Sequence, residues 1–353
     1  MFRLSDRVLV LTSYLFEDVL DADFITFCST LGADPDVIQG AGGNISIKNG
    51  DALCIKASGL WLKDAARKNT FVTVSRKEIV RRHRLRDENL HDLADASGLR
   101  PSIETGMHAL LPHRFVVHVH CVESLALSAH RDAERAFAER LVSFRHVLVP
   151  PVRPGLPLAL AVEEAMARQP DASVFVLMNH GLIVGSDTLE ETRQTLNAVR
   201  DALALPVRSP SHAGTDLESL NDMNWHVPQD DFIHTVAADQ ETLRLVRQAP
   251  LYPDHVVFLG PIIPVAVDGE CLSAAIERFE RHHGFRPQWM VFPAQGVLTA
   301  PQNNVGEMAM LDALGRVGQR LRSSFRPLRT LPAGIIHDLT QWEAETYRKK
   351  ISL

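Results

Sequence analysis

Residues 114–121 read RFVVHVHC. Apolar side chains on either side of alternating positions suit an extended strand, in which residues two apart share a face. That period sets the imidazoles of His118 and His120 side by side, close enough to bind a single metal ion. In a chain with 16 histidines such a pair also arises by chance, so taken alone it decides the strand and leaves the metal open.

The segment just upstream, PSIETGMHALLP at 101–112, has the spacing of a helix that leads directly into this strand. Glu104 and His108, four apart, then lie on one helix face, which delivers a carboxylate toward the two histidines. A plainer reading makes Glu104 a first-turn acid answering the helix dipole with Ser102 as its cap. His108 reads as a buttress or a packed ring. Downstream, SVFVLMNHGLIVGSD at 173–187 reads as two strands meeting at Asn179-His180-Gly181. A polar ring between two apolar runs is costly unless it is hydrogen-bonded or ligated, and a satisfied turn histidine is one outcome. Three histidines together leave a fourth zinc position for water, carboxylate or substrate, as a catalytic site requires.

Around this centre, residues 16–33 read as a helix and DPDVIQGAGGNISIKNGDALCIKAS as a hairpin. VTVSRKEIVRRHR runs from strand to helix, RDENLHDLADASGLRP is a polar loop, HVLVPPV a strand, and PLALAVEEAMARQ and LEETRQTLNAVRDALAL are helices. The first 205 or so residues therefore form an α/β unit with a central sheet flanked by helices. A Pro-, Ser- and Gly-rich linker, PVRSPSHAGTD, follows. Beyond it 229–248, 271–283, 303–322 and 336–350 read as helices, with HVVFLG, IPVAV and QWMVFPAQGVLTA strand-like. Two domains are expected, 1–207 and 208–353, the second a smaller α/β region.

Composition narrows the function classes. A formal net charge of -6 gives no broad positive field for a nucleic-acid backbone, so an anion must be met locally. Four scattered cysteines without a Cys-x-x-Cys pair indicate reduced thiols rather than disulfides or a zinc knuckle. No run of about 18 apolar residues occurs, and the N-terminus lacks the pattern of a cleaved signal, so a soluble cytoplasmic protein without a membrane partner is expected. No GxGxxG follows a strand, which leaves a dinucleotide site unsupported. The loop AGGNIS reads as a β-turn, yet Gly42 and Gly43 can turn backbone N–H groups toward a ligand, with Asn44, Ser58 and Ser102 as neutral donors and Lys56 as a charge.

Five segments in order, GAGGNISIK, CIKASG, PSIETGMHALLP, VVHVHC and LMNHGLIVGSDTLEE, resemble the signatures of the class II aldolase/adducin family over roughly residues 15–205. The Pro-Ser-Ile-Glu-Thr wording is most similar to rhamnulose-1-phosphate aldolase-like members with a C-terminal extension. The resemblance implies a three-layer domain with a central, mainly antiparallel sheet flanked by helices. It also implies zinc, or another divalent transition metal, on His118, His120 and His180, with Glu104 as acid/base. The family's phosphate or anion pocket falls on Gly43, Asn44, Ser58, Gly59 and Ser102, with Lys56 just before the Ser-Gly pair.

The implied activity is reversible retro-aldol cleavage of a small ketose or sugar phosphate through a metal-stabilised enediolate, in a homotetramer with sites at subunit junctions. Burial near the site is expected to raise the pKa of Glu104 toward neutrality. A pentulose-5-phosphate 4-epimerase, which usually has Asp where Glu104 stands, is the second reading within the family, and a non-catalytic adducin-like scaffold the third. The chain departs from the pattern in its tyrosines: Tyr14, Tyr252 and Tyr347 match no shared motif that would supply the aldehyde-side acid. Asp254-His255 and His282-His283 read as surface or interface histidines, and Trp289, Phe292, Gln295 and Gly296 as a packed strand and turn.

Overall fold

The computed structural model describes residues 20, 22–94, 98–208, 217–248 and 250–351. Tyr14, the first part of the helix expected over 16–33, and most of the expected linker lie outside them. Seven strands form one sheet: β1 Asn44–Asn49, β2 Ala52–Lys56, β3 Phe71–Ser75, β4 Phe115–Val119, β5 His146–Val149, β6 Val174–Leu177 and β7 Gly181–Ser186. Their spatial order is β3-β2-β1-β4-β7-β6-β5, and every adjacent pair is antiparallel except β5 with β6.

The strands are apolar on both faces, so both must be covered. In β4, Phe115, Val117 and Val119 face one way, into a core shared with helix α1 (Ala22–Ala33) through Phe24 and Phe27. Val116 faces the other way, into a core with Met107 and Ile183. Between these strands come α2 (Arg76–Arg84), α3 (Thr105–Leu110), α4 (Val122–Ser128), α5 (Ala133–Arg140) and α6 (Leu156–Arg168), and α7 (Leu189–Leu203) follows β7. Phe137 of α5 and Leu196 of α7 join the first core, and Leu158 and Val162 of α6 the second. Helix, sheet and helix make the three layers, and each fully buried Leu, Ile or Phe contributes about 1.5–3 kcal/mol.

Residues after 217 pack onto this unit through α4. Val122, Leu125 and Ala126 share a core with α8 (Asp231–Ala238), α9 (Gln240–Val246), the two-stranded ribbon β8 (Trp289–Phe292) and β9 (Gly296–Thr299), and α11 (Val305–Arg320). Helix α10 (Leu272–His283) covers the ribbon's other side. The single helix expected over 229–248 breaks at Asp239, whose carboxylate accepts from the backbone N–H groups of Glu241 and Thr242 and so starts a new helix. The helix expected over 336–350 is likewise two, α12 (Ala333–Gln341) and α13 (Glu343–Ile351), with Trp342 extended between them.

HVVFLG is not a strand but a π-helical turn, His255–Leu259. IPVAV contributes only a bridge from Val265 to Val291. Short apolar runs fit a buried helical turn as well as a strand, and here packing against α11, α12 and α13 decides. Among the described residues the four cysteines are unpaired, and no helix is long and apolar enough to cross a membrane.

Helices α8 and α11 come very close at Gly315 of α11. A Cβ there would lie 1.9 Å from the carbonyl oxygen of Phe232 in α8. Gly315→Ala is therefore expected to push the helices apart and destabilise the protein by about 1–3 kcal/mol, read as a lower midpoint in a thermal melt.

Candidate metal centre

Three strand ends build the site. β4 runs antiparallel to β7, with His118 opposite Ile183 and Val119 opposite Leu182, so the end of β4 lies beside the start of β7. His120 stands just past the first and His180 just before the second. β1 also begins here, Asn44 being opposite His118. A bridge from Ala57 to Pro101 brings the segment Ser102–Glu104 to the same end of the sheet.

The imidazoles of His118, His120 and His180 form a near-equilateral triangle, with ring centroids 4.9, 5.0 and 5.1 Å apart. His118 Nδ1 donates to the carbonyl of Leu182 at 2.9 Å, which leaves its Nε2 as a bare lone pair. His120 Nδ1 lies 3.1 Å from Asp254 Oδ2, which leaves its Nε2 bare as well. These two Nε2 atoms face each other at 3.1 Å. Two lone pairs so placed repel unless a cation sits between them, and nitrogens on a tetrahedral metal with bonds of 2.0–2.1 Å stand about 3.3 Å apart. The described residues that could jointly hold a metal are these three histidines, all buried, with one ligand atom from each within 4.8 Å of the others. The donor set fits a zinc-like ion.

Glu104 completes the constellation. Oε2 is 3.4 Å from His118 Nε2, Oε1 is 3.3 Å from His180 Nε2, and Oε1 has no hydrogen-bond donor. Asn44 Nδ2 donates to Oε2 at 2.7 Å, and the other end of that amide meets His108 Nε2, whose Nδ1 is 2.7 Å from Ser46 Oγ. Glu104 is not in the helix but stands at the N-cap position of α3, where its side chain makes no capping hydrogen bond and its own N–H is donated to Ser102 Oγ at 3.3 Å. It meets His108 through Asn44 rather than across a helix face.

Burial pushes the Glu104 carboxyl up, but His118, His180 and His120 and the Asn44 amide outweigh it and hold it at about 2. The expectation of a pKa raised toward neutrality is thus reversed. Burial lowers His118 to about 4 and His180 to about 3. At neutral pH the rings of His118 and His180 are therefore neutral and Glu104 is ionised, the protonation states that metal binding needs.

The residues of the expected anion pocket, Gly43, Asn44, Lys56, Ser58, Gly59 and Ser102, all line one small cavity of about 20 Å³ with Glu104, His120 and His180. Lys56 is less of a charge than its type implies. Its ammonium donates to the carbonyls of Ala41 at 3.0 Å and Leu60 at 2.7 Å, and burial with the nearby Arg348 lowers it to about 7. A larger cavity of about 350 Å³ adjoins at Ser58 and Ile103, walled by Arg100, Trp342 and Tyr347. The Arg100 guanidinium lies 4.0 Å from the Tyr347 ring centroid, and its Nη1 is buried without a hydrogen-bond partner.

The sequence reading missed two groups at the site. Asp254 and His255 were expected at the surface or an interface, yet both are buried within the chain. Arg348 of α13 lines the small cavity and clamps Asp254. An acidic residue beside an apolar run was the only local signal for Asp254. His282 and His283 are exposed, at the end of α10.

The family model for the class II aldolase and adducin N-terminal domain matches residues 22–206. A Bacillus subtilis (strain 168) protein named as the uncharacterized oxidoreductase YuxG is 30% identical over 190 residues, 49% of this chain, and the chain spans only 27% of that protein's length. The N-terminal class II aldolase domain of a conserved Thermoplasma acidophilum protein is 27% identical, over 52% of this chain and 92% of that one, with a TM-score of 0.43. L-fuculose-1-phosphate aldolase from Thermus thermophilus is 17% identical, over 52% and 92%, with a TM-score of 0.36.

Elemental analysis checks the centre directly. Wild type is expected to carry about one divalent transition-metal ion per chain, and a His118→Ala/His120→Ala variant with an unchanged circular dichroism spectrum none.

Proposed function

Since the chain belongs to the class II aldolase and adducin family, we propose that it is a zinc-dependent lyase performing reversible retro-aldol cleavage of a small ketose or sugar phosphate. The observation that carries this reading is the pair of bare imidazole nitrogens facing each other beside an ionised carboxylate with one undonated oxygen. Packing alone has no use for such a set, which speaks against a scaffold that has kept only the fold.

His118, His120 and His180 would hold the ion. When bound, it supplies a Lewis acid for the electron pair that the carbonyl-bearing fragment keeps as the carbon–carbon bond breaks. The chain's own groups do the rest. Glu104, ionised at neutral pH and fixed through Oε2 by Asn44, removes the proton from the donor fragment's carbon in the direction of condensation; in cleavage it returns to that carbon a proton equivalent to the one lost by the substrate hydroxyl whose oxygen becomes the aldehyde. Substrate takes up the space before Oε1. His108 keeps the Asn44 amide oriented so that its N–H donates to the carboxylate.

The substrate's anionic end is assigned to the loop lined by Gly43, Ser58, Gly59 and Ser102, whose backbone and hydroxyl donors suit a phosphate. With Lys56 largely engaged by carbonyls, Arg100 in the adjoining cavity is the cation left to balance that charge. The small cavity alone is about the size of one water, so a sugar phosphate needs the larger one beside it. In this reading residues 1–207 carry the metal and acid/base groups, and 208–353 form an extension that walls the site.

Glu104→Gln tests the assignment. The variant is expected to keep its metal but to lose about 10²–10⁴-fold in the exchange of carbon-bound hydrogen of a hydroxyketone phosphate for solvent deuterium, followed by NMR. Metal-replete wild type that neither exchanges nor cleaves any of a panel of ketose 1-phosphates would sink the aldolase reading.

A further inference from the structure

We propose that Asp254 and Arg348, both outside the family-matched residues, are positioning residues for His120: Asp254 holds the ring through Nδ1, and Arg348 holds Asp254. The inference rests on the reading of the three histidines as a metal centre.

The need for such a device follows from where His120 sits. His118 lies inside β4, and its ring is fixed by the Leu182 carbonyl across the β4–β7 ladder. His120 lies beyond the strand end, where no ladder partner reaches it. Its ring is met instead by a carboxylate from the C-terminal region, Asp254 Oδ2, at 3.1 Å from Nδ1. A carboxylate there fixes the tautomer and leaves the Nε2 lone pair for the ion.

Asp254 is in turn held by a fork. Arg348 Nη1 and Nη2 donate to its Oδ1 and Oδ2 at 2.7 Å each, and Glu345 Oε2 lies 3.2 Å from the same Nη1. All three residues are buried. Taking these charges out of water is expensive, and a matched hydrophobic cluster would be as stable or more so, so stability does not account for the arrangement. Orientation does: a bidentate guanidinium permits one rotamer of the carboxylate, and hence one ring plane for His120.

Gly42 gives independent support. A Cβ at that position would lie 2.8 Å from His120 Nδ1 and 3.1 Å from Asp254 Oδ2, so the chain passes the junction of the two side chains with room for hydrogen only. The other ligand loop is fastened to the same region. Asn179, next to His180, donates from Nδ2 to the carbonyls of Leu251 at 3.0 Å and Arg329 at 3.2 Å.

The test uses the full chain and measures metal affinity by chelator competition, together with the visible absorption of the Co²⁺-substituted protein. Asp254→Asn keeps the shape but removes the charge, and is expected to weaken binding about 10- to 100-fold and to shift the Co²⁺ spectrum, with circular dichroism unchanged. Arg348→Lys, which keeps the charge but not the fork, is expected to fall between wild type and Arg348→Met. It also reports on the relay if Asp254→Asn does not fold. Wild-type affinity and spectrum in all three variants, alongside loss of metal in His120→Ala, would overturn the positioning role while the metal centre stands. Unchanged binding in His120→Ala too would overturn the metal centre itself.

Discussion

The antiparallel ladder between β4 and β7 sets the geometry on which the candidate centre depends. A parallel neighbour would place the end of β4 beside the end of β7, with His180 at the opposite edge of the sheet. Antiparallel pairing puts one strand's exit beside the other's entrance, and the two-residue step from His118 in β4 to His120 just past its end does the rest. β1 adds Asn44 by the same logic, its first residue opposite His118. Groups far apart in sequence thus meet at one end of the sheet because the register of the paired strands carries them there.

This is why so much of the site was legible in the sequence. His118, His120 and His180 sit in or beside strands whose period declares which way a side chain points, and Glu104 sits on the segment leading into one of them. Asp254 and Arg348 carried no such signal. The contact between them spans 94 positions, and neither lies in a repeating pattern that aims it at His120. HVVFLG failed for a different reason: a run of four apolar residues satisfies a buried turn as readily as a strand, and only the packing around it decides. The break at Asp239 was readable in principle, as a capping acid in mid-helix, but helical spacing on both sides masked it.

The electrostatics show the limits of reading charge from residue type. Lys56 was expected to supply a charge and Glu104 to be raised toward neutrality, yet both outcomes came from neighbours that sequence does not place. Lys56 is wholly buried near the Arg348 guanidinium, and these lower it although the carbonyls of Ala41 and Leu60 accept from its ammonium. Three imidazoles and an amide surround Glu104, so burial loses to them and the carboxylate stays ionised. The same desolvation acts on both groups, and the local donors and acceptors decide its outcome.

The distribution of these groups along the chain orders the assembly of the centre in time. A polypeptide is made from its N-terminus, and β1, β4 and β7 with all three histidines and Glu104 are complete before α8 begins. The arginine that locks Asp254 belongs to α13, the last helix described. During synthesis the three histidines therefore come together while the ring of His120 is still free to turn. In the proposed relay the carboxylate that holds His120 is itself held from α13, so the orientation of that ring depends on the docking of a helix more than 200 residues further along the chain.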